Sequence, residues 1–119
     1  MLYHLRERSI EHEVIPWCER HGVAVVAYSP FGSGRFPSLR SGGGRVLKEI
    51  AEARDVTPHQ VALRFLIRRR SVFAIPKSSD VAHMRDNAAA AAIDLTEEDI
   101  RRIDEAFPPG RRRSGVPTL

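Results

Sequence analysis

The sequence predicts an α/β fold built on parallel strands, and three observations lead there. Two short apolar runs, Val23–Tyr28 and Val72–Ile75, sit between stretches of helical periodicity. Neither run alternates apolar with polar residues, which is the pattern of strands covered on both faces, as in a parallel sheet. The order of elements (helix, strand, helix pair, strand, helix, helix) is that of an α/β chain. Two full strands cannot complete such a sheet, because isolated they would present long unpaired edges. The sequence reads as a sector of a larger fold.

Taken in order, Ser9 is a candidate N-cap, and Ile10, Val14, Trp17 and Cys18 then recur at helical spacing. Pro16 inside that helix is expected to kink it or shift its start. Arg20 and His21 in the last turn and Gly22 beyond it mark its end. The strand Val23–Tyr28 follows, then a glycine-rich loop from Ser29 to Gly44. Helix resumes near Arg45, with Val46, Leu47, Ile50 and Ala51 on one face. Thr57-Pro58-His59-Gln60 has the form of a capping box with proline at the first helical position, ahead of Val61, Leu63, Phe65, Leu66 and Ile67. After the strand Val72–Ile75 and Pro76, helix is expected from about Asp80 to Ala91. A last helix, Glu97 to Ala106, is capped by Thr96 with Asp99 in the box position. Phe107-Pro108-Pro109-Gly110 ends it, and a basic tail follows.

Bulk properties narrow the function classes. In 119 residues, 42% hydrophobic with 29% charged is the balance of a globular chain. No run approaches the ~20 apolar residues of a membrane span. The first eight residues hold no apolar segment of a secretory signal. A lone cysteine, Cys18, on the apolar face of its helix, suits a buried thiol in a reducing compartment. A cytoplasmic location is therefore expected. The net charge of +4 raises the question of nucleic acid. Six of the 19 basic residues lie in Arg68–Arg70 and Arg111–Arg113, and no aromatic residues interleave with them as stacking platforms would require. These clusters read as solvated helix-end charge. The five histidines form no pair at metal-ligand spacing, and no P-loop pattern accompanies the glycines.

Chemistry concentrates after the two strands, in Tyr28-Ser29-Pro30-Phe31-Gly32-Ser33-Gly34 and Pro76-Lys77-Ser78-Ser79. In parallel α/β folds, ligands sit outside the carboxyl ends of the strands. In (β/α)8 barrels the loops after the last two strands frequently bind phosphate. Lysine offers a point charge, serine offers donors, and glycine permits close backbone approach. The same residues are equally at home in plain turns. Pattern alone leaves both readings open.

Pro16-Trp17-Cys18, Ala27-Tyr28-Ser29-Pro30, Thr57 through Arg64, Ile75-Pro76-Lys77-Ser78 and Asn87 together resemble, in order and spacing, the C-terminal portion of aldo/keto reductases. The resemblance covers nearly the whole chain. It implies the C-terminal part of a (β/α)8 TIM barrel: Leu2–Leu5 as the end of strand six, Val23–Tyr28 as strand seven, Val72–Ile75 as strand eight. Residues 1–110 would be the barrel segment and 111–119 a basic tail. The family reduces aldehydes and ketones to alcohols with hydride from NADPH. By resemblance Tyr28 would stack on the nicotinamide, and Ser29, Phe31 and Ser33 would hold the pyrophosphate and adjoining ribose. Lys77 and Ser78 would bind the 2′-phosphate, and Asp86 and Asn87 would reach the adenine. His83 stands where many members place an arginine, and Asp80 lies close to the expected phosphate, so the preference for NADPH over NADH is weakened.

The family's catalytic Asp, Tyr, Lys and His belong to the first half of the barrel, and no residue here matches them. Tyr3 and His4 match the end of strand six instead. The 119 residues alone are therefore expected to lack carbonyl reductase turnover, since a missing general acid forfeits ~10²–10⁴ in rate. A non-catalytic nucleotide-binding or partner-binding module is the alternative. The partners implied are NADP(H) and, in the complete enzyme, a small carbonyl compound. Neither nucleic acid nor membrane is expected, and the isolated chain is expected to self-associate.

Overall fold

A computed structural model describes residues 1–76 and 81–110. A 3₁₀ turn at Ser9–Glu11 leads into α1 (Val14–His21), followed by β1 (Val25–Tyr28), α2 (Gly42–Arg54), α3 (Pro58–Leu66), β2 (Val72–Ile75), α4 (Val81–Ala89) and α5 (Glu97–Ala106). The strands pair in parallel, with Val25 opposite Val72 and Tyr28 opposite Ile75. On the edge of β1 away from β2, Tyr28 donates its backbone N–H to the Met1 carbonyl at 2.8 Å, and Leu2 bridges to Tyr28 in parallel. Residues 1–3 thus occupy a third strand position. The α/β class and the parallel pairing agree with the sequence.

Both capping boxes form: Thr57 with Gln60 on α3, and Thr96 with Asp99 on α5. Pro16 falls in the first turn of α1, where a missing N–H costs nothing, so the helix begins late. Ser9 does not cap it; its hydroxyl donates to Glu7 at 2.5 Å. The first strand begins two residues later than expected, at Val25. Gly22 adopts a left-handed φ of 66° and Val23 N–H returns to the Cys18 carbonyl, which spends Val23 on the helix end. Helix α2 starts at Gly42, earlier than Arg45, because Ser41 caps it by accepting from Gly44 N–H. Helix α4 ends at Ala89 and continues as a 3₁₀ turn, Ala90–Ala92; the expected start at Asp80 lies outside the described residues.

Gly44 is buried, and a Cβ there would overlap the Ser38 carbonyl oxygen. Helix propensity alone would favour alanine by ~0.8–1 kcal/mol. The obstacle is backbone and cannot rotate away, so we expect Gly44→Ala to destabilise by ~1–3 kcal/mol. Urea unfolding checks this, and a midpoint unchanged or raised would show that propensity wins.

One face of the two strands is covered. Val25, Ala27 and Val72 are buried with Leu47, Ile50, Val61, Phe65 and Ile103 in a common core. The other face is not, contrary to the two-sided burial expected from the uninterrupted apolar runs. Val26, Phe73 and Ile75 are 49%, 58% and 59% exposed, and the register sets them on one face with half-buried Tyr28. Cys18 is buried as expected, but Trp17 is half exposed and stacks on His21 with ring centroids 4.1 Å apart.

A charged knot ties the ends of the chain together. Arg8, 3% exposed, donates to Glu11 at 2.6 and 2.9 Å, to Asp104 at 2.7 Å, and to the Phe107 carbonyl. Arg68 reaches Glu11 at 3.0 Å, and the buried Tyr3 hydroxyl donates to Glu11 at 2.7 Å. Both guanidinium groups lie over the Phe65 ring, at 4.0 Å for Arg68 and 5.1 Å for Arg8. Arg69 pairs with Glu19 at 2.7 Å. Arg68 and Arg69, read from sequence as solvated, are thus structural.

Candidate functional site

The carboxyl ends of β1 and β2 and the start of α3 converge on one side of the sheet. Tyr28 ends β1 half-buried, and the chain turns at once: Ser29 takes φ 53°, Gly32 80°, Ser33 51° and Gly34 84°. Two serines in left-handed conformations are strained, at ~1–2 kcal/mol each. Gly32 N–H bonds the Ser29 carbonyl at 2.9 Å, and the Ser33 hydroxyl donates to that of Ser29 at 2.9 Å, which holds the turn closed. Strain stored in such a turn is characteristic of ligand loops.

Beyond the turn, a cavity of about 320 Å³ is lined by Phe31, Thr57, His59, Gln60, His83, Asp86 and Asn87. That volume is at the small end of ligand pockets, ~300–1,000 Å³. Phe31 and His59 give it an aromatic floor, which Phe36 backs from outside the cavity. The Phe36 ring stacks on His59 at 3.8 Å, and Phe31 meets His59 edge-on at 4.9 Å. Its far wall is α4, where His83, Asp86 and Asn87 share a face at spacings of three and four. Gln60 fixes that wall by donating its side-chain amide to the Asp86 carbonyl at 2.9 Å. The His59 imidazole is held below its ordinary pKa, by partial burial against the phenylalanines first and by the nearby His83 second. An aromatic floor, a carboxylate and a primary amide suit a planar heterocycle that both donates and accepts hydrogen bonds.

Of the residues expected from sequence, Phe31, Asp86 and Asn87 meet in this cavity. Tyr28, Ser29 and Ser33 form the strand end and strained turn beside it. Lys77 and Ser78 lie outside the described residues. The sequence reading did not assign Thr57, His59 or Gln60 to the site, and it noted His83 only by resemblance, where many members place an arginine. His59 was not legible, because the capping box accounts for its neighbours completely.

A family model described as "Aldo/keto reductase family" matches residues 1–107. Methylglyoxal reductase YeaE of Escherichia coli (strain K12) is 36% identical over 119 residues, an alignment covering 98% of this chain and 41% of the relative. Pyridoxine 4-dehydrogenase of the same strain is 38% identical over 84 residues, covering 70% of this chain and 28% of that protein. A crystal structure of an aldo-keto reductase from Klebsiella pneumoniae in complex with NADPH superposes with a TM-score of 0.87 at 37% identity. It is matched by 100% of this chain over 42% of its own length. The chain therefore spans well under half the length of these relatives.

Proposed function

The chain belongs to the aldo/keto reductase family, and from that premise we propose that it is the cofactor-binding sector of an NADP(H)-dependent carbonyl reductase. In this reading the sector runs from the end of barrel strand six (residues 2–5) through strand seven (β1) and strand eight (β2) to the C-terminal helices. Residues 1–110 form the barrel segment and 111–119 a basic tail.

The observation that carries the reading is the cavity that gathers Phe31, Asp86 and Asn87, three residues that the resemblance assigns to one cofactor and that lie up to 56 positions apart in sequence, beside the strained Ser29–Gly34 turn. Its aromatic floor and the Asp86 and Asn87 side chains fit an adenine ring. Ser29, Phe31 and Ser33 would hold the pyrophosphate and adjoining ribose, Lys77 and Ser78 the 2′-phosphate, and Tyr28 the nicotinamide. When bound, NADPH supplies hydride to a small carbonyl compound. This chain's residues bind and orient the cofactor, and none is assigned the proton donation. The open sheet face bearing Val26, Tyr28, Phe73 and Ile75 fits the interior wall of a barrel. Among the described residues, no helix is long and apolar enough to cross a membrane. A reducing, cytoplasmic setting suits the single buried Cys18.

The test is cofactor discrimination by the 119-residue chain, read by titration calorimetry. Lys77→Ala is expected to weaken NADPH binding by ~1–3 kcal/mol, the range for a charge-assisted contact, and to leave NADH binding nearly unchanged. Equal NADPH affinity in chain and variant would remove Lys77 from the site. No binding of either dinucleotide would overturn the reading as a whole.

A further inference from the structure

An open groove of about 590 Å³ runs along α1, lined by Val14, Pro16, Trp17 and Cys18 of that helix and by Met1. His12 and Glu13 border it where α1 begins, and Arg20 near the other end of the helix. Trp17 is 49% exposed even though His21 stacks on its ring, and Met1 is 37% exposed. An indole carries one of the largest apolar surfaces of any side chain, and a groove of this kind around it marks a contact surface.

The chain beyond α5 arrives at that groove. Arg8 holds the Asp104 carboxylate at 2.7 Å and the Phe107 carbonyl, and His12 Nε2 donates to the Gly110 carbonyl at 3.1 Å. Gly110, the last described residue, is thereby fixed to a side chain that borders the groove. Residues 111–119, Arg-Arg-Arg-Ser-Gly-Val-Pro-Thr-Leu, follow directly. At ~3.3 Å per extended residue they reach up to ~30 Å. The lining from Val14 to Arg20 takes up only ~9 Å of helix. The tail is long enough, and its composition matches in order. Its three arginines come first, at the Glu13 end; Val116, Pro117 and Leu119 come later, as the apolar lining does. Arg20 stands ~10 Å along the axis from Glu13, clear of the tail's arginines.

We propose that residues 111–119 dock in this groove, with the arginines beside Glu13 and the segment from Val116 to Leu119 against Trp17. The tether explains how so short a segment holds. A segment joined directly to the rim of its site meets it at an effective concentration on the order of millimolar, so modest contacts suffice. Arginine beside a carboxylate sets the register, and burial of the valine, proline and leucine against the indole supplies the contact area. The docking is independent of the cofactor reading, and failure of either leaves the other standing.

Trp17 is the one tryptophan of the chain, so acrylamide quenching of its emission reads the groove directly. A chain ending at Gly110 is expected to quench at least twofold more steeply than the 119-residue chain. Val116→Asp changes the tail alone, and it is expected to raise quenching likewise while circular dichroism at 222 nm stays the same. That variant separates loss of docking from loss of the fold. Glu13→Gln is expected to raise quenching by a smaller factor, and salt at about 1 M to abolish the difference between it and the parent. Equal quenching in the parent, the shortened chain and Val116→Asp overturns the proposal. Quenching that ignores the tail but falls as chain concentration rises gives the groove to a second copy, and overturns it equally.

Discussion

Replacing Glu11 with glutamine is expected to destabilise the chain by ~3–5 kcal/mol, the loss that follows when a buried charge pair loses one partner. Glu11 is the only carboxylate shared by Arg8, Arg68 and the Tyr3 hydroxyl in the described structure, and its side chain is 10% exposed. The glutamine amide would leave both guanidinium groups poorly paired against the Phe65 ring. A domain of this size has ~5–15 kcal/mol in all, so the variant should melt at a much lower temperature. The Arg101–Glu98 pair is a control, because both side chains are more than half exposed and Arg101→Gln should leave the melting temperature nearly unchanged.

The same carboxylate sets an acid limit. Its partners, with Arg8 and Tyr3 foremost, overcome burial and hold the Glu11 pKa at about 2, from an ordinary 4.5. A folded-state pKa depressed in this way gives stability that is complete above the unfolded value and lost as pH falls through the folded one. The window of loss is therefore from about 4.5 down to about 2. Stability flat across that window in the parent chain, or equal in parent and variant at neutral pH, would remove the knot from any stabilising role.

The second large effect is expected at the open sheet face. Phe73 and Ile75 are each more than half exposed, and with Val26 they forgo on the order of 1 kcal/mol apiece of burial. Among the described residues, no further strand pairs with either outer edge of this three-strand patch. The 119-residue chain is therefore expected to run as a dimer or larger species at micromolar concentration. Phe73→Lys should shift it toward monomer, and the β2 amides of that monomer should exchange faster than those of α3. A monodisperse parent chain with both strands protected to the global limit would show that this sector folds alone.

How much of this was legible depends on sequence distance. The caps on α3 and α5 lie within four residues of their partners, so the letters Thr-Pro-His-Gln and Thr-Glu-Glu-Asp suffice. The late start of β1 was nearly legible, since Gly22 was recognised as a helix end but Val23 was not recognised as its return. Arg8 with Asp104 and Arg68 with Glu11 span 96 and 57 residues, and no local pattern announces such pairs. Burial is more instructive: the apolar runs forecast two covered faces in a whole barrel and partly wet strands in the separate chain, and the 119 residues cover one face. The strand ends were legible as a site because rules for parallel α/β folds place ligands there. The Phe31–His59 floor, backed by Phe36, depends on a fold-back of the loop that composition does not encode.

The exposed stack of Trp17 on His21 has a practical consequence. Trp17 is the one tryptophan of the chain, so its emission reports on the outer rim of α1 rather than on the core. A half-wet indole is already partly red-shifted in the native state and has little further to travel when the chain unfolds. Fluorescence melts of this chain would thus be shallow. Circular dichroism at 222 nm is the proper observable for the Glu11 and Gly44 variants.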